Sequence, residues 1–423
     1  MRTSVLSGLF SLSLGLLMLP GAIFGASALV LLVISCWGVV SSLALSSLRV
    51  RPVEARWALL CFMFIFAGGL SIAFSPRPEL GLMDIGRQLY IATMSFFMMI
   101  HFRKPENCVA FRKLLALPAV VGGGIILLGF WIIRGWPTLA NVGDLASFKF
   151  DMVERFEINP NPLSFAVLLV FVLGWRGKGR DRPGWFLPYV PFVLASLFIS
   201  GSRTAIVVLA GAMALNYLFR KPPSRFTIAL SIFVVLLIVL IGLGTSGLIF
   251  SESDWVQTLF WLSEITTGRS ELWGAAMQKV AERPLLGWGA FTWDLDLSRY
   301  LTLYSSDMGR FDGLSSGSFH NAYLTVLAEK GVLGFGAGLC LLGYGLSCSL
   351  RLYWSRKLLS EDDQRIASIA PVWVFLVILH GFSEQGGLFG YANAAVDFIT
   401  YSGLALILAV FSRTKKLHGK ITK

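Results

Sequence analysis

Charge is what this chain has least of. Only 14% of its 423 residues are charged, 55% are hydrophobic, and the mean hydropathy is +0.71. A soluble chain of this length needs far more charge to cover its surface, so the soluble globular classes are excluded. Histidine is scarce, with four residues in all, and no His or Cys stands at ligand spacing from His320, which argues against zinc there. Cysteine is scarce too, with five residues. Cys36, Cys61, Cys340 and Cys348 fall inside apolar runs and Cys108 in a basic connection, so no disulfide is expected. The sequence has no internal repeat, no low-complexity tract and no stretch large enough for a separate soluble domain.

What is there is a succession of apolar runs. They predict an all-α integral membrane protein, a single polytopic domain over 1–423 with about twelve transmembrane helices. The expected spans are 5–19, 23–47, 57–74, 88–102, 114–133, 161–175, 185–200, 204–219, 226–250, 321–349, 366–382 and 390–411. The formal charge of +12 does not point to nucleic acid, because the basic residues sit between apolar runs, where they orient a membrane protein. With both termini cytoplasmic, two thirds of the lysines and arginines fall on one face, on connections that are nearly all short. The positive-inside rule then puts the connections 134–160 and 251–320 on the outer face. Residues 1–28, with Arg2 and the small-residue run Phe24-Gly25-Ala26-Ser27-Ala28, also have the form of a cleavable signal; the expectation is that they are retained as a span.

The long polar stretch 251–319 carries the outer face's chemistry, and three constellations gather there or at the same level. In Gly201-Ser202-Arg203-Thr204-Ala205 a helix start offers free N–H groups and hydroxyls beside a guanidinium, a setting suited to phosphate. An arginine so placed can also merely snorkel and anchor its helix. Gly268-Arg269-Ser270 opens a second helix, to about Glu282, with Leu272, Ala276 and Val280 at four-residue spacing. Arginine at a helix start opposes the dipole, so an anionic ligand joining both is implied. Pro284-Leu285-Leu286-Gly287-Trp288-Gly289 follows and reads as a tight turn, not a dinucleotide fingerprint.

The third constellation is His320-Asn321, followed at once by a helix from Ala322. A histidine there can serve as a cap or neighbour contact. Equally, imidazole is the side chain that accepts a proton near neutral pH, which suits a general base. Asn321, Ser202 and Arg283 are second-tier candidates for ligand contact or positioning. Asp294 and Asp296 could in principle hold a divalent ion, but two acids one residue apart are common in any polar loop, and no metal or other cofactor is expected.

The ordered blocks Ser200–Ala205, Gly268-Arg269-Ser270 with Trp273, Pro284–Gly289 and His320-Asn321-Ala322-Tyr323-Leu324, continuing to Gly331 and Gly334, resemble the superfamily of O-antigen ligases and polymerases of the bacterial envelope. The resemblance implies a lipid-carrier glycosyltransferase architecture of the GT-C type and a metal-independent, inverting transfer at the periplasmic face of the inner membrane. It implies a donor glycan on undecaprenyl diphosphate. Arg203 and Arg269 would hold the diphosphate and His320 would deprotonate the acceptor hydroxyl. The single dominant late loop and the chain length resemble ligases, which use the lipid A-core oligosaccharide as acceptor, more than polymerases. A lipid-linked glycan transporter is the rival from another class. It would carry ionisable groups in mid-membrane, where Asp397 is the one acid placed well inside an expected span.

Overall fold

The computed structural model describes residues 50–135, 151–152, 160–174, 193–197, 199–200, 203–218, 269–292, 319–382 and 394–421. Among the described residues there is no strand. The helices among the described residues run in the order α1 Pro52–Ala73, α2 Pro78–His101, α3 Pro105–Leu114, α4 Ala116–Arg134, α5 Pro160–Gly174, α6 Arg203–Leu218, α7 Arg269–Glu282, α8 Ala322–Trp354, α9 Glu361–His380 and α10 Ala394–Ile421. Four of them begin on proline, whose fixed φ and missing N–H suit the first helical position. The start of α9 is fixed by the Ser360 hydroxyl, which accepts from the Asp363 amide at 3.4 Å, and by three acids in its first turn.

Among the described residues, three helices, α1, α8 and α9, are long and apolar enough to cross a membrane. Helix α8 packs against α1, α9 and α10, while α2 joins α1 to α10. Around this centre α4 pairs with α5, α6 lies along α9, and α7 rests on α8. Trp57, Phe64, Phe165, Trp373 and the inner face of α10 from Leu404 to Val410 form the apolar core.

Eight of the expected spans meet a described helix, and two boundaries change in an instructive way. Helix α2 starts at Pro78, ten residues before the expected 88, because Asp84, Arg87 and Gln88 are drawn into the bundle by polar partners. Hydropathy reads such residues as a connection; pairing makes them tolerable inside. The stretch around Cys108, expected to be a loop, is helix α3, and Cys108 is buried. Spans 5–19, 23–47 and 226–250 lie outside the described residues, as does most of 185–200.

Candidate functional site

Helix α8 is two helices. At Gly331 the backbone turns to φ 62°, ψ −169°, a conformation essentially confined to glycine, and the ladder breaks. Before the break stands a short half-helix, Ala322 to Lys330; after it the long apolar half continues to Trp354. A break inside a bundle leaves backbone groups that must find partners elsewhere. Here they find them in the turn after α7. The Trp288 amide donates to the Ala328 carbonyl at 3.0 Å and the Gly289 amide to the Glu329 carbonyl at 2.8 Å. In return the Val332 amide donates to the Pro284 carbonyl at 2.8 Å. The Pro284–Gly289 block, expected to be a tight turn, is such a turn, with Gly287 at φ 70° and Gly289 at φ 95°. Its role goes further, for it is the clasp that grips the broken helix. A Cβ on Gly287 would collide with the Glu329 backbone, and one on Gly331 with the Leu285 carbonyl.

The half-helix begins at the candidate base. Asn321 is its cap: the side-chain carbonyl accepts from the amides of Tyr323 and Leu324, each at 3.0 Å. His320 is not the cap. It lies one residue outside the helix, half-buried, at φ 48°, a left-handed conformation in which histidine is among the more tolerant residues. The capping alternative therefore passes to its neighbour. Two further ties hold this start against α9. The Ala322 amide donates to the Gly381 carbonyl at 2.8 Å, and the Asn321 side-chain amide to the Phe382 carbonyl at 3.2 Å. The Tyr323 hydroxyl donates to Ile378 at 2.7 Å, and its ring meets Phe382 with centroids 4.6 Å apart. Beside this joint His380, the last residue of α9, is buried and stacks on Phe165 of α5 at 3.4 Å.

Helix α7 begins at Arg269, as the sequence indicates, and Leu272, Ala276 and Val280 all turn into a small apolar cluster with Ala275, Phe319 and Ala328. Trp273, one turn beyond Arg269, donates its indole N–H to the Phe319 carbonyl at 3.0 Å. The start of α7 and His320 are thus fastened within one turn of each other. Arg203 is the first residue of α6, which packs along α9, with Gly211 against Leu379. Arg203 lies eight residues, about 12 Å, along α6 from Gly211. The start of α7 at Arg269 is thus tied to the backbone just before His320, and Arg203 stands at the start of α6. For the two arginines the description stops at the backbone, and Ser202, Asp294 and Asp296 lie outside the described residues.

Arg283 is elsewhere. It stands at the far end of α7 from Arg269, donates to the Phe74 carbonyl at 2.7 Å and lies 4.2 Å from the centre of the Trp288 ring. Its contacts tie the clasp to the α1–α2 turn. Trp273, Tyr323 and the clasp glycines are positioning residues that the sequence did not single out for this purpose. Their signal was present, since Trp273 and the glycines lie in the motif blocks, but the partners they reach were not.

Residues 188–339 match the model of a protein family described as O-antigen ligase, a stretch of a little over a third of the chain that spans all four motif blocks. No curated protein matches the chain.

Proposed function

We propose that this chain is an O-antigen ligase. It transfers O-antigen polysaccharide from undecaprenyl diphosphate to the lipid A-core oligosaccharide at the periplasmic face of the inner membrane, by metal-independent inverting glycosyl transfer. The observation that supports the reading is the match of residues 188–339 to the O-antigen ligase family, a segment in which the start of α7 near Arg269 is tied to the backbone before His320. Membrane lipids surround the apolar helices, and about twelve spans of a GT-C type architecture complete the fold. The connections 134–160 and 251–320 face the periplasm and both termini the cytoplasm.

The chemistry follows from the candidate groups. A diphosphate leaving group gathers negative charge as the anomeric C–O bond breaks. Two guanidiniums at helix starts, with the N–H groups of those starts, stabilise that charge in the transition state. The His320 imidazole takes the proton of the acceptor hydroxyl as that oxygen attacks the anomeric carbon from the side opposite the diphosphate, so configuration inverts. Asn321 fixes the helix start that carries His320, and Ser202 stands beside Arg203 as a further donor. Arg283 acts through the clasp.

The alternative within the same chemistry is an O-antigen or exopolysaccharide polymerase, which would use a second arginine-bearing loop at 134–160. Arg134 at its edge pairs with Asp151 at 2.9 Å, and the single dominant late loop is what supports the ligase reading. The test is a lipopolysaccharide gel from a strain lacking this gene, together with a probe of glycan left on the lipid carrier. The expected result is loss of every O-antigen band from the lipid A core, with long polymer accumulating on undecaprenyl diphosphate. A core bearing one repeat unit and no ladder would make it the polymerase. An unchanged ladder would overturn both, and would return attention to transport of a lipid-linked glycan.

A further inference from the structure

Below the site lies a layer of buried charge that the proposed chemistry does not use. Lys330, the last residue of the half-helix, is 1% exposed and places its ammonium 3.0 Å from Asp84 of α2, which is equally buried. The Asp84 carboxylate also accepts from Gln88 one turn on, at 2.7 Å. The ammonium lies 4.5 Å from the centre of the Phe64 ring and against Gly68, where α1 offers no side chain. Beside it Arg87 pairs with the fully buried Asp397 of α10. The Ser71 hydroxyl donates to the Glu329 carbonyl, so α1 holds the same break from the other side of the clasp.

A buried ion pair contributes little net stability, because desolvation offsets the attraction; its best-attested value is to select one arrangement among several. The half-helix needs such selection. The Gly331 break uncouples it from the long half of α8, and its apolar contacts with α7 are few and small. Backbone bonds from the clasp hold it in place, yet the turn that makes them is itself carried on α7. The Lys330–Asp84 pair is the charged link that ties the lower end of the half-helix to α2, beside the Ser71 bond from α1, while the upper end is tied to α9. A cation in the last turn also suits the negative end of the half-helix dipole. Eight residues separate this anchor from Ala322, so a rigid half-helix transmits its position over about 12 Å to the helix start beside His320.

We propose that Lys330 and Asp84 are a positioning pair, which sets the height and rotation of the half-helix and thereby the place of the His320 imidazole; the catalytic part rests on the function proposed above. The test uses the full-length protein in detergent or lipid. Lys330→Met alone leaves Asp84 buried without its countercharge and is the folding control. The informative variant is Asp84→Asn with Lys330→Met, which removes both charges and keeps the volume. It should retain the wild-type melting temperature and the donor KM, while kcat falls about tenfold or more, since small misplacements of a reacting group are costly. An unchanged kcat in a folded double variant would overturn the proposal, because a merely structural pair predicts that result. Hydrogen exchange gives a second readout independent of turnover. Amides of 322–330 should exchange about tenfold faster in the double variant, with those beyond Gly331 unchanged; equal exchange in both proteins would also overturn it. If the wild-type protein transfers no glycan, the functional reading fails and the exchange experiment still decides the mechanical one.

Discussion

The two ends of the bundle are held by different chemistry. At the end away from His320, side-chain charge does the fastening. Glu54 caps its own helix through the Arg51 amide at 2.7 Å and receives Arg103 from α2 at 2.7 Å. Arg413 of α10 pairs with Asp363 of α9 and also donates to the Phe102 carbonyl. Burial pushes the Cys108 thiol up to about 11 despite the Arg413 guanidinium beside it, so it stays protonated and inert. At the His320 end the fastening runs to backbone carbonyls: Ala322 to Gly381, Trp288 to Ala328, Gly289 to Glu329 and Val332 to Pro284 between backbones, with neutral side-chain donors Asn321, Tyr323 and Trp273 beside them. An end closed by ion pairs keeps its charges occupied. An end closed by backbone bonds depends instead on glycines that nothing else can replace.

That contrast can be broken in several places. The largest effect is expected from His320→Ala, which should lower glycosyl transfer by about 10²- to 10⁴-fold without moving the melting temperature; wild-type turnover would remove the base assignment. Next comes Gly331→Ala. Its backbone region costs a non-glycine residue about 1–3 kcal/mol, and the collision with Leu285 adds to that, so thermal unfolding in detergent should show a marked loss of stability along with loss of transfer. Arg203→Lys should lower transfer by about 10²-fold, because a point charge cannot replace a planar fork on a diphosphate, and the protein should still insert normally.

At the opposite end the sign of the comparison reverses. Glu54→Gln removes the countercharge of Arg103 while keeping hydrogen-bond acceptance, so stability should fall by about 2 kcal/mol and transfer per folded molecule should not change. A fall in specific activity there would show that the two ends are coupled. The smallest effect is Asn321→Ala, the loss of one helix cap, worth about 1 kcal/mol and readable as faster amide exchange at Tyr323 and Leu324.

Much of the site was legible because its markers are local. Helix starts at Arg203, Arg269 and Ala322, the buried stripe Leu272-Ala276-Val280 and the Gly287–Gly289 turn all follow from residue type and spacing. The partners were not legible. Nothing in Pro284–Gly289 says that its amides complete a helix broken forty residues later, and nothing in Asp84 says that it answers Lys330. Hydropathy in fact placed Asp84 outside the membrane helices, and it marked Asp397 as the one acid within a span.

By itself the sequence determined the all-α class and the apolar helices, and it nominated the residues proposed to bind a diphosphate and move a proton. These depend on composition and on periodicities of a few residues, which are properties of a chain segment. Only the tertiary structure decided that Asn321 and not His320 caps the half-helix, that Gly331 breaks α8, and that α7, α9 and the Lys330–Asp84 pair together fix the place of His320. Those depend on which orphaned backbone groups and buried charges meet across the bundle, and such meetings have no signature within either partner alone.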